Sequence, residues 1–217
     1  ASAYIYAKAS GMLAKSFVGA RAGALFSVKS LHELYGLLFG GEVPAVPEAM
    51  LAKQIEQLAE KAFISDYCTL LGAFTKPDAV AVALLRFYDY DNLKEIGAAL
   101  CYNEHTPPAT ADIGAYSMLD YKAWPSLERM TQGSPVAWYD RVPKPAEQHE
   151  ADTHLDKQYV HELWRAVQAL PLSEREPVAS LIQKEIAFNN IIWVLRLKVF
   201  YNMAADDIVE RLVFANR

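Results

Sequence analysis

The stretch Leu84 to Ile96, L-L-R-F-Y-D-Y-D-N-L-K-E-I, decides the fold, because a second stretch of the chain reads like it. That second stretch is L-I-Q-K-E-I-A-F-N-N-I-I-W-V, Leu181 to Val194, and its Asn190 lies 98 residues after Asn92. Upstream, K-A-F-I-S-D-Y-C-T-L-L-G-A-F from Lys61 aligns with K-Q-Y-V-H-E-L-W-R-A-V-Q-A-L from Lys157, at an offset of 96. Downstream, Tyr102-Asn103 meets Tyr201-Asn202. The apolar residues in both copies recur at three- and four-residue steps, the period of a helix with one buried face. A fixed internal period marks a repeat architecture. The reading is all-α, tandem helical-hairpin units of about 98 residues, with unit boundaries at 1–106 and 107–217 and local antiparallel contacts within each hairpin.

Working outward, Ser30-Leu31-His32-Glu33 has the form of a capping box, in which the Ser hydroxyl takes a free N–H and the Glu reaches back. It predicts a short helix carrying Leu31, Leu34 and Leu38. A long helix is expected from Pro47, with Leu51, Ile55, Leu58, Ala62 and Phe63 on its buried face. Another runs from Asp78 to Cys101. Residues 103–150 hold six of the eleven prolines, with short helices expected at 113–124 and 134–142. Asp152 is expected to cap the next helix. Ser173-Glu174-Arg175-Glu176 reads as a second capping box, with Pro177 inside the first turn.

An apolar fraction of 53% supports a real core, and no apolar run approaches the ~18 residues of a membrane helix. The net charge of −5 gives no broad footprint for nucleic acid. Its sign is uneven. Residues 1–32 carry Lys8, Lys15, Arg21 and Lys29 and no acid. An acid-free N-terminus has something of a transit peptide, but a single Arg and the tyrosines Tyr4 and Tyr6 fit a packed basic helix better. Lys8, Lys15 and Arg21 are therefore candidates for contact with an acidic partner. Two cysteines, Cys68 and Cys101, make no disulfide framework and point to a reducing, cytoplasmic setting.

Three constellations could carry chemistry. His149, Glu150, Asp152 and His154 offer metal ligands, but the two His lie five apart, whereas rings sharing a helix face want a spacing of four. Asp89 and Asp91 point about 200° apart on a helix and cannot share a proton or a metal. Asp89 and Asn92 do share a face, and their expected role is a polar clasp within the repeat. In the second copy Ala187 replaces Asp89 while Asn190 keeps the amide. No phosphate loop, nucleotide fingerprint or Gly-flanked serine is present, so neither a catalytic residue nor a cofactor is expected.

These residues resemble a known family. Tyr4-Ile5-Tyr6-Ala7-Lys8-Ala9 followed by Gly11-Met12-Leu13 is similar to the opening of the C-type subunit of the V/A-type ATPases, the d-type subunit of eukaryotes. L-L-R-F-Y-D-Y-D-N-L-K-E-I resembles the D-x-x-N-L helix of that family, and E-I-A-F-N-N-I-I-W-V from Glu185 its second occurrence, less the Asp. D-I-G-A-Y-S-M-L from Asp112 resembles the start of its second unit. The resemblance implies three helical units around a pseudo-threefold axis, forming a funnel. Only two are found in this chain, so a fragment or short form lacking the third is expected. It implies a non-catalytic rotor subunit on the cytoplasmic face of the membrane, with the central-stalk subunits and the proteolipid ring as partners, working in ATP-driven ion transport or ATP synthesis. A helical-repeat protein-binding adaptor is the alternative from another class, and a helical metallohydrolase using the His149–His154 cluster is the third.

Overall fold

The computed structural model describes residues 2–214, and among them there is helix and loop but no strand. No helix among the described residues is long and apolar enough to cross a membrane. The chain divides into two compact units. One runs to Pro77 and takes in Ala111–Gly114; the other comprises Asp78–Thr110 and the chain from Ala115 onward. These units do not part at 106/107, where the sequence period divides the chain.

The first unit contains α1 (Ser2–Lys15), α2 (Ala22–Ser27), α3 (Leu31–Phe39) and α4 (Glu48–Leu71). Ser30 caps α3 as its sequence predicts, accepting from the Glu33 N–H at 3.2 Å. The reciprocal bond comes from one residue earlier than the box requires, Lys29 N–H to Glu33 Oε2 at 2.8 Å. Gly40 and Gly41 end the helix at φ 67° and 75°, a region closed to most side chains. The buried face of α4 is Leu51, Ile55, Ile64 and Leu71. Leu58 and Phe63 are exposed, contrary to the expected stripe. Contacts with α1 and α3 select which face is covered on this 24-residue helix. Ile113 is fully buried in the same unit, with its carbonyl facing the Cys68 thiol at 3.9 Å.

The second unit is built on α5 (Ala79–Leu85), α6 (Phe87–Cys101), α7 (Leu127–Thr131), α8 (Gln148–Gln168), α9 (Leu172–Val199) and α10 (Ala205–Arg211). The helix expected over 78–101 is thus two helices joined at Arg86, whose guanidinium donates to Tyr116 O at 3.3 Å. Asp78 caps α5 through the Val80 N–H. Helix α8 packs against α5, α6 and α9. Local pairing holds for α8 with α9. For the first hairpin it is corrected: α4 lies in the other unit, and α5 and α6 lean on α8. The cause is apolar matching, since Tyr90 and Leu93 share a core with Leu155, and Val80 another with Leu163 and Val167. Such burial contributes roughly 1.5–3 kcal/mol per large side chain.

Three further expectations change for local reasons. Residues 113–124 form only 3-10 turns, at Gly114–Tyr116 and Tyr121–Ala123. Residues 134–142 are turns, because Ser134 Oγ takes the Val136 N–H and donates to Thr131 O, drawing backbone groups away from a helical ladder. Asp152 does not cap α8: the helix has already begun at Gln148, whose amide donates to the Asp152 carboxylate one turn on, at 2.9 Å. Likewise α9 begins at Leu172 behind Pro171, fixed at φ −53°, so Ser173 is inside the helix and Pro177 is its sixth residue.

Helix α6 is followed by Asn103 with φ 58°, and α9 by Asn202 with φ 46°. Asparagine tolerates this left-handed conformation better than most residues. Past each Asn the chain closes back on its helix, through Glu104 N–H to Ala99 O at 2.9 Å and Met203 N–H to Leu197 O at 3.2 Å. Mid-helix, Gly97 has a different purpose. A Cβ there would strike the Tyr139 hydroxyl, with Tyr139 Cζ only 3.0 Å away.

Gly97→Ala should therefore cost about 1–3 kcal/mol through overpacking, although alanine is the better helix former. Urea denaturation of this variant, of Tyr139→Phe and of the double variant gives the coupling. A cost for Gly97→Ala that is unchanged in the Tyr139→Phe background would contradict the contact.

Candidate functional site

The residues that stood out in sequence converge on one buried polar cluster. Asp89 and Asn92 lie one turn apart on α6, 0% and 5% exposed. The Asp89 carboxylate accepts from Ser117 Oγ at 2.8 Å, from the Met118 backbone N–H at 2.7 Å and from the Tyr121 hydroxyl at 2.7 Å. Tyr121 in turn accepts from Asn92 Nδ2 at 2.6 Å. One tyrosine hydroxyl thus donates a hydrogen bond to the acid and accepts one from the amide. The two α6 side chains pin residues 117–121 onto the helix.

Burial is the main influence on Asp89 and pushes its carboxyl above the ordinary value of 3.8. The Met118, Tyr121 and Ser117 bonds and the nearby Arg86 charge pull the other way without overcoming it. Burial and then the Asp89 charge push the Tyr121 phenol up, so it remains a proton donor. With three donors already on the carboxylate, the arrangement is built for holding rather than for transferring a proton.

Asn190 makes the corresponding clasp on α9. Its Nδ2 donates to Val213 O at 2.7 Å, and its Oδ1 accepts from the Val213 N–H at 3.1 Å. It therefore pairs both ways with the backbone just after α10. Ala187, in the place of Asp89, is exposed. Asp91 faces away from the cluster. It lies 3.5 Å from Lys94 Nζ, which also reaches Asp156 on α8 at 2.7 Å. Burial lowers the Lys94 ammonium, but Asp156 and Asp91 outweigh it and hold it above the ordinary value.

The candidate contact residues of the N-terminus are engaged differently from one another. Lys8 is half-buried and donates to Thr69 O at the end of α4, at 3.2 Å. Arg21 donates to Ala14 O at 2.9 Å and stands 5.2 Å over the Phe17 ring. Lys15 is exposed in the last turn of α1, next in sequence to Ala14. Lys15 and Arg21 thus share one end of α1, and Lys8 braces α1 against α4.

The His149–His154 segment is drawn apart. His154 stacks on Trp138 with centroids 4.0 Å apart, His149 Nε2 accepts from Arg211 Nε at 2.9 Å, and Asp152 is engaged by Gln148. Among the described residues no three His, Cys, Asp or Glu gather as metal ligands. Sequence reasoning missed Ser117, Met118 and Tyr121 as the partners of Asp89. They lie 28 to 32 residues away, and no local spacing announces them. The Lys94–Asp156 bridge, 62 residues in span, was equally hidden.

Comparison with known proteins adds a family. The family described as ATP synthase (C/AC39) subunit matches residues 5–213. A protein of Treponema pallidum (strain Nichols), described only as an uncharacterized protein, is 33% identical over 212 residues. That stretch is 98% of this chain and 62% of the treponemal protein, so the chain spans less than two thirds of its relative. No solved structure matches.

Replacing Asp89 by Ala should destabilise the second unit by about 2–4 kcal/mol, since buried donors lose their acceptor. Equilibrium denaturation would measure it, and a loss within ordinary surface scatter would remove the clasp from this role. The pH dependence has a definite sign. With its carboxyl held high in the fold, Asp89 keeps its proton to a higher pH folded than unfolded. The resulting stability is complete below 3.8 and fades as pH rises through the raised value. The advantage of the wild type over Asp89→Asn should therefore shrink as pH rises above the ordinary aspartate range. An advantage that widened instead would mean that the fold favours the ionised acid.

Proposed function

The chain belongs to the ATP synthase (C/AC39) subunit family, and from that premise we propose that it is a non-catalytic coupling subunit of a V/A-type ATPase. The observation that carries this reading is the family match, which runs along nearly the whole chain, residues 5–213. In the proposed assembly it rests on the cytoplasmic face of the membrane, between the central-stalk subunits and the proteolipid ring. It transmits torque and needs neither cofactor nor catalytic residue. ATP turnover and ion translocation belong to its partners.

The division at 106/107 into two related units, each part of a pseudo-threefold funnel, is proposed with it. Two pairs of side chains support that relation. Asn92 and Asn190 each fasten a later stretch of chain to its helix, and Asn103 and Asn202 each turn the chain in the left-handed conformation. Rigid clasps suit a part that must pass force without yielding. The helical-repeat adaptor is the second reading, and α9 favours it. Phe188, Ile191, Leu195 and Val199 are all more than half exposed along that helix, a surface of the kind that binds partners.

Affinity capture with the tagged chain separates the two readings, because the coupling reading expects stalk and ring subunits of the ATPase among the captured proteins. Reversing Lys8, Lys15 and Arg21 to Glu should weaken capture about tenfold if the basic end of the chain is a contact, with circular dichroism as the folding control. Lys15→Glu is the cleanest single variant, since Lys8 and Arg21 also brace the unit. Unchanged capture by the triple variant would remove the N-terminal contact and leave the family standing. Capture of neither stalk nor ring by the wild type would remove the coupling reading.

A further inference from the structure

Helices α6, α8, α9 and α10 of the second unit border a cavity of about 410 Å³, with Asn190 and Val213 of the α9 clasp in its wall. Three aromatic side chains line it: Phe87, Tyr159 and Trp193. Phe87 meets Tyr159 edge to face, centroids 5.5 Å apart. Phe87 and Trp193 are 40% and 43% exposed. Aliphatic walls from Ile182 and Ile186 complete a largely apolar interior.

The polar lining is unbalanced. Asp91, Asp152, Asp156 and Glu185 face two cations, Lys94 and Arg211. Both cations are already engaged. Lys94 lies between Asp156 and Asp91, and Arg211 donates to His149 Nε2 and to Asp207 O. Glu185 is exposed and makes no ion pair among the described residues. Burial pushes the Asp152 carboxyl above its ordinary value, with only partial relief from the Gln148 bond and the Lys94 charge. A further cation beside it would offset the cost of that burial by favouring the charged form.

The aromatic walls suit the same guest, since a guanidinium over an indole face gains about 0.5–2 kcal/mol. Trp193 already engages one in this unit, the Arg196 guanidinium 5.7 Å from its ring. The volume exceeds what a single ion needs and falls in the range of a pocket that takes several groups. Beside Asn189 and Trp193, the exposed Phe188 and Ile192 carry apolar surface along α9.

We propose that this cavity receives a basic helical segment of a partner protein, with an arginine or lysine side chain entering among Phe87, Tyr159 and Trp193 to meet Glu185 and Asp152. Apolar residues flanking that cation on the partner helix would cover Phe188 and Ile192. The inference stands on the chemistry of the cavity and not on the identity of the assembly, so it can fail while the coupling reading holds.

The test uses the full chain and two synthetic amphipathic helices of about 16 residues, long enough to hold helix on a binding face. One has leucines on one face and arginines on the other; its counterpart has glutamates in place of the arginines. Titration calorimetry should give binding of the arginine peptide that is at least about tenfold tighter than that of the glutamate peptide, weakening with salt. Glu185→Lys and Trp193→Ala should each weaken it by a similar factor, with helix content unchanged. Glu176→Lys, an equal change in net charge at an exposed site on α9 away from the cavity lining, should leave affinity within about twofold. Four outcomes would overturn the proposal: no binding of the arginine peptide, equal binding of the two peptides, wild-type affinity in both cavity variants, or an equal loss in Glu176→Lys. Self-association of the wild type that Glu185→Lys abolishes would also overturn it, by making the occupant a second copy of this chain.

Discussion

One buried carboxylate sets the terms for the second unit. Asp89 lies in the interior with no exposed surface, and a group in that position is tolerable only when its lone pairs are occupied. Ser117, Met118 and Tyr121 occupy them. To do so, residues 117–121 must lie against α6, which brings Leu119 into the core with Tyr90, Leu93 and Ile96. The polar constraint therefore selects the loop path, and apolar burial then makes that path stable. Asn92 sharpens the arrangement: it donates to Tyr121, and so orients the hydroxyl toward the acid.

Helix α8 bears the consequences. It packs on α5, α6 and α9 together, and most of what it touches on α5 and α6 is distant in sequence. The Lys94–Asp156 pair fixes the register between α6 and α8 from their partly exposed side. Its net energy is modest, because a half-exposed ion pair loses much of its attraction to solvent screening. Its directional value is greater, since a shift of one turn would separate the charges. Gly97 does similar work by shape, giving Tyr139 room against α6.

Legibility followed the range of each interaction. Helices with a regular apolar period were readable, and so was the Ser30 cap, whose partner is three residues away. Asp89 and Asn92 were recognisable as a clasp because their spacing puts them on one face. Their partners were not, since nothing near Ser117 or Tyr121 encodes the distance to α6. Asp152 and Ser173 have the side chains of caps but lie inside their helices, which begin earlier, at Gln148 and, behind Pro171, at Leu172. The local hairpin of α4 with the following helix failed for the deeper reason that periodicity tells which face is buried, never against what. The basic N-terminus shows the same limit: its charges were plain in the sequence, but the sequence did not show that Lys8 would be drawn to the Thr69 carbonyl.

Helix α9 shows how one sequence feature can have two physical meanings. Its apolar residues occur on more than one side, which blurs the single stripe expected of a surface helix. Ile182 and Leu197 are buried, and Ile182 joins the core around Leu163 and Val167. Phe188, Ile191, Leu195 and Val199 remain open. A helix apolar on several sides is suited to burial on several sides, so the folded unit satisfies only part of what this sequence encodes. The clasp at Asn190 bears on that difference, because it holds the chain after α10 beside the middle of α9 while leaving Ile191 and Ile192 exposed. The same short stretch of helix thus combines a fixed polar anchor with an exposed apolar surface, so a partner docking on it would meet a framework already in place.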